Sequence, residues 1–322
     1  MTISPIALAI HGGCGTLPKA EMTETEWTEA KADLAASLRA GWAVLSKGGS
    51  AVDAVEAAVL VMENSPHFNA GHGAAFNADG EHELDASIMD GETLAAGALC
   101  GVKRIRNPIG AAKVLMRRGD PLFLAGTAAD SFAESEGLDM VENEYFSTER
   151  RRKNLSSMKI RELVGTMSEA SEAEKHGTVG AVALDAQGHL AAATSTGGYT
   201  NKPAGRVGDS PIIGAGTYAR DGRCAVSGTG KGEYFIRYCV GHEIASLMAY
   251  AGLSLEEATA RAIAELTEHR IGAGLVAIGA DGSIVAPYNS AGMYRGWVTP
   301  DGFIHVATHR DVEVAGQLEA AA

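Results

Sequence analysis

Residues 176–185 read HGTVGAVALD, and AQG (186–188) and HLAAAT (189–194) follow directly. Runs rich in Val, Ala and Leu thus lie on both sides of a turn that contains Gly188, which is the pattern of a β-hairpin. The first run begins at Thr178, directly after Gly177. The sequence therefore predicts a buried hairpin whose first strand starts at Thr178.

The segment before this hairpin is polar. Residues 147–176 read STERRRKNLSSMKIRELVGTMSEASEAEKH, with charges of both signs and few large apolar side chains after Val164. Such a composition is typical of a solvent-exposed linker or of a segment that is processed. Its basic cluster, Arg150 to Lys153, is interpreted as solvated rather than functional.

The other elements are predicted from apolar periodicity, caps and turn residues. They are a strand over 6–10 that ends in HGGCG, helices over 24–46, 51–63, 108–118, 127–136 and 232–250, a strand over 224–227, and a second hairpin over 274–279 and 283–288. Strands that pair locally in hairpins, with helices in sequential groups, favour a layered α+β fold over an alternating βαβ sheet.

Composition limits the class of protein. The 322 residues are 46% apolar and 21% charged, with a formal net charge of −13. A soluble globular protein is expected, and nucleic acid and anionic membranes are poor partners for it. No apolar run approaches the ~20 residues that span a bilayer, and the N-terminus lacks signal-peptide features. Four cysteines without C-x-x-C spacing argue against structural zinc and a disulfide scaffold. We therefore expect a cytoplasmic protein.

Two groups of polar residues are given structural roles. His67, His72 and His82 lack H-E-x-x-H spacing and are interpreted as loop and surface histidines rather than metal ligands. Asp53 and Glu56 lie on an otherwise apolar helix. One of them is expected to be a paired interior carboxylate, and neither receives a catalytic role.

The element SGTGKGE (227–233) lies between a predicted strand and a predicted helix. It fails the Walker A pattern, because position 225 is Ala and Gly232 follows the lysine, and its glycines do not form the Rossmann fingerprint. Backbone N–H groups at a helix N-terminus nevertheless stabilise negative charge, and an oxyanion carries negative charge. This turn is therefore a candidate oxyanion site.

Arg206 and Asp209, in GRVGDSP, are candidate substrate contacts. An arginine fork suits a carboxylate and an aspartate suits an ammonium, so the two side chains could hold the zwitterionic head of an amino acid. An ordinary surface salt bridge in a loop would present the same two residues.

Thr178 is the candidate nucleophile. A threonine hydroxyl needs an adjacent base, and a threonine that becomes an N-terminus carries that base as its own α-amine, whose pKa of about 7.7 to 8.0 suits neutral pH. A Gly-Thr junction between a polar linker and a buried strand is where such a residue could arise. A threonine that merely begins a strand gives the same pattern.

Six motifs occur together in the chain: FNAGHGAAF (68–76), HELDASIMDG (82–91), HGTVGAVALD (176–185), ATSTGG (193–198), GRVGDSPIIGAG (205–216) and GTGKGE (228–233). This set resembles the plant-type asparaginase and isoaspartyl peptidase branch of the N-terminal-nucleophile hydrolases. The resemblance extends from Ile6 to about Trp297.

The resemblance implies a four-layer αββα sandwich, formed as a single domain over residues 1–322. It implies a precursor that cuts itself between Gly177 and Thr178 into an α chain, 1–177, and a β chain, 178–322. Residues 147–177 would be a flexible linker within the α chain. Two such αβ units are expected to pair as a dimer of heterodimers.

The resemblance also assigns roles at the site. Thr178 would be the nucleophile, with its own amine as base, and Thr196 would assist it. Thr229 and Gly230 would form the oxyanion hole and contact the substrate. Arg206 would bind the substrate carboxylate, Asp209 would bind its ammonium, and Gly232 and Asn69 would shape the pocket. Lys231, between two of these residues, departs from the family pattern.

No cofactor is implied for catalysis, but a structural Na⁺ or K⁺ is. The resemblance assigns its binding to the main-chain carbonyls of one loop, at Met62, Glu63, Ser65, Phe68, Ala70 and His72. His72 stands where a relative has an apolar residue, which leaves the details of coordination open.

The expected reaction is hydrolysis of L-asparagine and of β-aspartyl (isoaspartyl) dipeptides. Two alternatives remain at this point. One is a glycosylasparaginase, which cleaves GlcNAc from asparagine with the same nucleophile. The other is a relative that binds a small molecule at the Gly-rich turn without catalysis, and its chain would stay intact.

Overall fold

The computed structural model describes residues 5–15, 23–166 and 177–318, and within them thirteen strands form two sheets. The strands are β1 (Ala7–Cys14), β2 (Leu84–Asp90), β3 (Ala96–Val102), β4 (Phe123–Ala125), β5 (Val179–Leu184), β6 (Leu190–Thr196), β7 (Thr217–Arg220), β8 (Cys224–Gly230), β9 (Ala273–Gly279), β10 (Ile284–Val285), β11 (Met293–Val298), β12 (Phe303–Ala307) and β13 (Val312–Gln317).

The helices lie between the strands in sequence. They are α1 (Glu24–Leu45), α2 (Ala51–Glu63), α3 (Pro108–Arg118), α4 (Gly126–Ser135), α5 (Glu149–Val164), α6 (Gly232–Tyr238), α7 (Val240–Ala251) and α8 (Leu255–Glu268), with a short 3-10 turn at Asn143–Phe146. None of the helices in the described ranges has the length and apolarity that crossing a bilayer requires.

The two sheets pack face to face between two helix layers. The larger sheet has the order β13-β12-β11-β1-β5-β6-β2-β3-β4, and the smaller has the order β10-β9-β8-β7. Helices α1, α2 and α3 cover the outer face of the larger sheet, while α7 and α8 cover the smaller one. Strands β1, β5 and β6 contact β7, β8 and β9 across the middle. The four layers therefore follow the order αββα, which confirms the predicted fold.

The central strands are apolar because both of their faces are buried. On β5, Val179 and Ala181 belong to the core under the helices, whereas Val182 and Leu184 belong to the core between the sheets. Side chains alternate between faces along a strand. Thr178 therefore shares the inter-sheet side with Val182, which is the side that carries the smaller sheet.

Most of the predicted elements are confirmed. The first hairpin is β5 and β6, and the helices predicted at 24–46, 51–63 and 108–118 are α1, α2 and α3. Side-chain caps explain this success for the first two: Thr23 accepts a hydrogen bond from the Glu26 backbone and Ser50 accepts one from the Asp53 backbone.

Several elements differ from the prediction. Strand β1 continues through the predicted turn to Cys14, and β8 extends beyond the predicted 224–227 to Gly230. The helix predicted over 232–250 is interrupted at Cys239, whose φ of +47° is left-handed. The N–H groups of Gly241 and His242 bond to the carbonyls of Ala215 and Gly214 instead of continuing the first helix. In the second hairpin, the returning strand shortens to β10, Ile284–Val285.

The predicted linker, 147–177, is not uniformly irregular. Helix α5 occupies 149–164, where the Thr148 hydroxyl caps its first turn and Gly165, in the left-handed conformation, ends it. Its outer face is exposed, as expected, but Arg151 and Met158 are buried. The segment 167–176, up to the predicted cleavage site, lies outside the described residues.

Gly97 sets the distance between β3 and α3. A Cβ on Gly97 would lie 2.6 Å from the Met116 nitrogen and closer still to the Ala112 carbonyl, both in the α3 backbone. We expect Gly97→Ala to lower the free energy of unfolding by roughly 1–3 kcal/mol, because neither helix atom can yield by rotating a side chain. Urea denaturation of both proteins measures the difference.

The matched control is Gly110→Ala, on α3 itself, where the nearest atom to a new Cβ is a Glu56 oxygen at 3.9 Å. An alanine there should raise the free energy of unfolding by about 0.5–1 kcal/mol, since glycine in a helix has a larger entropy cost. Equal effects of the two substitutions would contradict the packing assigned to Gly97.

Candidate active site

The carbonyl oxygen of Gly177 lies at the centre of the candidate site. It is 2.8 Å from Thr178 Oγ1, 2.9 Å from Asn69 Nδ2 and 3.0 Å from Thr196 Oγ1. The two threonine hydroxyls are themselves 3.2 Å apart. An amide donor and a hydroxyl donor thus face the oxygen on which charge would develop if the Thr178 hydroxyl attacked the Gly177 carbonyl carbon.

Asn69 is held on three sides. Its Oδ1 accepts from the Ala75 N–H at 2.7 Å, which directs Nδ2 toward the carbonyls of Gly177 and, at 2.5 Å, of Gly198. Its own carbonyl accepts from the Gly197 N–H at 3.0 Å. The amide is therefore fixed with a donor on the Gly177 carbonyl.

His11, from β1, holds the other side of Thr178. Its Nδ1 is 3.1 Å from the Thr178 carbonyl, and its Nε2 is 2.8 Å from Ser227 Oγ. A carbonyl only accepts, so Nδ1 carries the proton and Nε2 accepts from the serine. Burial lowers the pKa of His11 to about 3. The ring is therefore neutral at pH 7 and positions the Thr178 backbone without adding charge.

Gly13 and Cys14 connect this junction to Thr229. A Cβ on Gly13, whose φ is +109°, would lie 3.2 Å from the Thr178 nitrogen. The next residue donates its N–H to Thr229 Oγ1 at 3.2 Å. That bond occupies a lone pair of the hydroxyl, and the hydroxyl itself donates to Cys14 Sγ at 3.8 Å. Sulfur is a weak acceptor, so an oxyanion would compete well for this proton. Thr229 and Gly230 end β8 at the inter-sheet side, although no hydrogen bond joins Thr229 to Thr178 among the described residues.

Arg206, Asp209 and Gly232 are brought together as predicted. A Cβ on Gly232 would lie 2.7 Å from Asp209 Oδ1 and 3.1 Å from Arg206 Nη2, so only glycine leaves both groups accessible there. Arg206 Nε and Nη2 donate to Glu233 Oε1 at 3.0 and 2.9 Å, and the guanidinium lies 4.7 Å from the Tyr199 ring centroid. The arginine is therefore paired with Glu233, and not with Asp209 in a surface salt bridge.

Asp209 is a buried carboxyl with spare bonding capacity. Only 4% of it is exposed, and Oδ2 has no hydrogen-bond partner among the residues that the structure describes. Burial, more than any other cause, raises the pKa of Asp209 to about 7. A cationic ligand group would supply the missing partner. Sequence reasoning missed Glu233, because its role depends on the fork of Arg206 lying within reach.

The loop of the predicted alkali-metal site has carbonyls that accept no bond. Within the described residues, no hydrogen bond reaches the main-chain oxygens of Ser65, Phe68, Ala70 or His72, whereas the Glu63 carbonyl accepts from the His72 N–H at 2.7 Å. The oxygens of Pro66 and Phe68 both lie within 3 Å of the point that a Cβ on Gly73 would occupy. A set of unsatisfied carbonyls fits an alkali-metal ion, which takes oxygen ligands.

His72 and His82 hydrogen-bond to protein groups. Across the described ranges, no group of three or more His, Cys, Asp or Glu side chains could hold a metal ion. His72 Nδ1 is 2.7 Å from the Tyr145 carbonyl. His82 is fully buried, contrary to its interpretation as a loop or surface residue, because its ring bonds to the Ala75 carbonyl and Ser147.

The two carboxylates on α2 pair with one lysine. Lys113 Nζ lies 2.5 Å from Asp53 Oδ1 and also contacts Glu56 Oε2. The lysine is buried. Both carboxylates are paired, whereas the sequence predicted this for one, and neither is an interior residue.

The basic cluster at 150–153, predicted to be solvated, is exposed at Arg150, Arg152 and Lys153, and the prediction is wrong for Arg151. Arg151 is only 5% exposed, and its Nε donates to the Gly73 carbonyl. Arg150 Nη2 donates to the carbonyls of Pro66 and His67 at 3.0 and 2.8 Å. The cap at Thr148 starts α5 in an orientation that turns these two side chains onto the loop, which composition alone does not reveal.

Comparison with known proteins agrees with this geometry. The family model described as asparaginase matches residues 4–308. An isoaspartyl peptidase of Escherichia coli is 47% identical over 90% of this chain and 92% of its own. A probable isoaspartyl peptidase/L-asparaginase 2 of Arabidopsis thaliana is 38% identical over 94% and 98%. A human isoaspartyl peptidase/L-asparaginase is 38% identical over 96% and 97%. The chain belongs to the asparaginase family, whose fold is that of the N-terminal-nucleophile hydrolases.

Asp209 should make stability depend on pH. Its pKa is raised from 3.8 in the unfolded chain to about 7 in the folded one. The stability that the neutral carboxyl contributes is therefore complete below the unfolded pKa and is lost as pH rises toward the folded one. Between pH 5 and 6.5, we expect Asp209 alone to lower the free energy of unfolding by roughly 1.4 kcal/mol per pH unit.

Asp209→Asn should remove that slope in urea denaturation series at several pH values. Asp301→Asn, at an exposed turn, is the control, because the pKa of Asp301 is lowered and the group stays ionised over this range. Parallel pH profiles for wild type and Asp209→Asn would contradict the buried, raised-pKa carboxyl.

Proposed function

We propose that this member of the asparaginase family matures by cutting its own Gly177–Thr178 bond and then hydrolyses L-asparagine and β-aspartyl dipeptides with Thr178. The observation that carries the proposal is the Gly177 carbonyl oxygen, which lies within 3.0 Å of Thr178 Oγ1, Asn69 Nδ2 and Thr196 Oγ1. A nucleophile and two donors around one peptide carbonyl are the parts that acyl transfer requires.

Maturation proceeds as an N-to-O acyl shift. Thr178 Oγ1 attacks the Gly177 carbonyl carbon, and the charge on the oxygen is stabilised by Asn69 and Thr196. The C–N bond breaks, the Thr178 nitrogen takes up the hydroxyl proton, and an ester joins Gly177 to Thr178. Water then hydrolyses the ester, which yields the carboxylate of Gly177 and the free α-amine of Thr178.

Turnover uses the same hydroxyl on a different carbonyl. The freed amine accepts the proton of Thr178 Oγ1, which attacks the side-chain amide of L-asparagine or the β-linked peptide bond. The Thr229 hydroxyl and the Gly230 N–H stabilise the oxyanion. The amine returns the proton to the leaving nitrogen, and water hydrolyses the β-aspartyl ester to give L-aspartate.

The two substrates share one end, and one pair of groups recognises it. Arg206 takes the α-carboxylate, while Asp209 offers its unpaired Oδ2 to the α-ammonium. Glu233 keeps the guanidinium in place, and Gly232 leaves space between the two charges. Because only the leaving group differs, one site serves both reactions.

The names of the relatives favour this reaction over the alternatives. The relatives compared above are named isoaspartyl peptidases or isoaspartyl peptidase/L-asparaginases, and each aligns over at least 90% of this chain. A glycosylasparaginase would hydrolyse a GlcNAc-asparagine substrate, which we expect to be inert. A relative without catalysis would keep its chain intact and would release no ammonia.

We also propose a bound Na⁺ or K⁺ in the loop 62–72. The carbonyls without donors at Ser65, Phe68, Ala70 and His72 support this, and Met62 and Glu63 would complete the set through their carbonyls. The ion would stiffen the loop that carries Asn69. Replacing NaCl with choline chloride at equal ionic strength should lower the melting temperature, and an unchanged value would exclude such an ion.

Assembly and location complete the proposal. Two αβ units would pair, and light scattering of the mature protein would give a mass twice that of one chain. Exposed Leu122 and Phe123, at the β4 edge, supply apolar surface for a contact.

Four free cysteines suit the reducing environment of the cytoplasm, which fractionation of expressing cells would test.

Thr178 should be indispensable for cleavage. Intact mass spectrometry under denaturing conditions should find fragments 1–177 and 178–322 in wild type and only the whole chain in Thr178→Ala, because alanine offers no hydroxyl. Asn69→Ala should cleave roughly 100-fold more slowly, since it removes one oxyanion donor.

Asn64→Ala is the matched control for Asn69→Ala, because Asn64 is exposed at the C-terminus of α2 and does not contact the junction. It should cleave at the wild-type rate. Cleavage of Thr178→Ala at the same bond would refute the proposed nucleophile.

Arg206 should govern substrate binding. Arg206→Ala should raise KM at least tenfold for both L-asparagine and a β-aspartyl dipeptide, because a charge-assisted pair of hydrogen bonds contributes about 1.5–3 kcal/mol. Arg261→Ala, on the exposed face of α8, is the control. A KM that stays constant in Arg206→Ala would exclude the carboxylate contact.

A further inference from the structure

The loop that carries Asn69 is a short piece of irregular backbone over residues 66–73. It contains Gly71 and Gly73, both with positive φ, and lies between the end of α2 and the start of β2. Its Asn69 side chain alone connects it to the Gly177 carbonyl. Asn69 is also bonded to Ala75, Gly197 and Gly198, so the position of its Nδ2 depends on these bonds together with whatever holds the two ends of the loop.

Two adjacent arginines of α5 hold those two ends. Arg150 Nη2 donates to the carbonyls of Pro66, at 3.0 Å, and His67, at 2.8 Å, at the start of the loop. Arg151 Nε donates to the carbonyl of Gly73 at its end. Asn69 thus lies between the loop residues that the two guanidinium groups contact. The contacted carbonyls are different from those of Ser65, Phe68, Ala70 and His72, which accept no hydrogen bond within the described residues.

Arg151 is buried without an acidic partner. It is 5% exposed, and among the described residues neither Arg151 nor Arg150 forms an ion pair with a carboxylate. A buried charge is costly unless several acceptors surround it. Its Nε bonds to the Gly73 carbonyl, so the guanidinium favours the arrangement of the loop that presents this oxygen.

Helix α5 has few other buried contacts. Among its sixteen residues only Arg151 and Met158 are buried, and Ile160, Leu163 and Val164 are exposed. A helix attached only for stability would bury an apolar stripe against the domain. Apart from the two buried residues, Arg152 lies over the Phe76 ring at 5.5 Å and Glu162 accepts from Asn201. The hydrogen bonds from α5 to loop 66–73 come from the two arginines.

We propose that Arg150 and Arg151 are positioning residues for self-cleavage, which hold loop 66–73 so that Asn69 Nδ2 stays on the Gly177 carbonyl oxygen. The inference rests on the proposed cut between Gly177 and Thr178. It makes maturation depend on the docking of α5. This helix ends at Val164, which lies twelve residues before His176 in the same chain. Neither arginine touches the reacting atoms.

The test measures the rate of cleavage of freshly purified precursor by intact mass for wild type, Arg151→Ala, Arg150→Ala and Lys153→Ala. Lys153 lies on the same helix, is 74% exposed and pairs only with Glu149. Arg151→Ala should cleave at least about tenfold more slowly, because small displacements of a positioned group cost up to about 100-fold. Arg150→Ala should be slowed less, and Lys153→Ala should match wild type.

Chemical rescue separates positioning from a loss of folding. Added guanidinium or ethylguanidinium, at concentrations below those that denature, should restore a substantial part of the Arg151→Ala rate and leave wild type unchanged. A folding defect would not respond. Once cleavage of Arg151→Ala is complete, its kcat and KM for L-asparagine should lie within about threefold of wild type, since the Gly177–Thr178 bond no longer needs alignment.

The outcomes distinguish the inference from the proposed function. A wild-type chain that stays whole removes the cleavage and this inference with it. If wild type cleaves and both Arg151→Ala and Arg150→Ala cleave at the wild-type rate, the inference is wrong but the proposed cleavage stands. Slow cleavage in Arg151→Ala without rescue, together with equal slowing in Lys153→Ala, would also overturn it. If Arg151→Ala fails to fold, Arg150→Ala tests the inference, because Arg150 is exposed. The inference then requires that Arg150→Ala cleaves more slowly than wild type and that guanidinium restores its rate of cleavage.

Discussion

The hydrogen bonds on the Gly177 carbonyl oxygen are the constraint on which the rest of the site depends. Thr178 Oγ1, Asn69 Nδ2 and Thr196 Oγ1 all reach this one atom, and they come from the residue before β5, from the loop after α2 and from β6. Three segments far apart in sequence must therefore be fixed within a few tenths of an ångström. The layered fold supplies that rigidity, because packed interiors do not deform continuously.

The sandwich determines the surroundings of the threonine that directly precedes β5. Strand alternation places Thr178 and Val182 on the inter-sheet side, opposite β8 with Ser227 and Thr229. Gly180 leaves room there for His11, which bonds to both Ser227 and the Thr178 carbonyl. The neutral histidine and the surrounding hydroxyls orient Thr178 without placing a fixed charge beside the amine that we propose as its base.

Features set by local physics could be predicted from the sequence, and features set by distant contacts could not. Caps at Thr23 and Ser50 and a strand-turn-strand pattern after Gly177 suffice for α1, α2 and the first hairpin. The resemblance supplied the list of site residues. The burial of Arg151 and the pairing of Glu233 with the substrate arginine escaped prediction, because each depends on a partner more than twenty residues away in sequence.

The central claim is that Thr178 Oγ1 attacks the Gly177 carbonyl and forms an ester, and trapping that ester tests it most directly. Precursor incubated with hydroxylamine under native conditions is analysed by mass spectrometry of the α chain. The account predicts a hydroxamate at Gly177 in wild type, formed faster than hydrolysis alone, and none in Thr178→Ala. An α chain that ends only in a carboxylate at every hydroxylamine concentration, or that ends at another residue, would contradict the account.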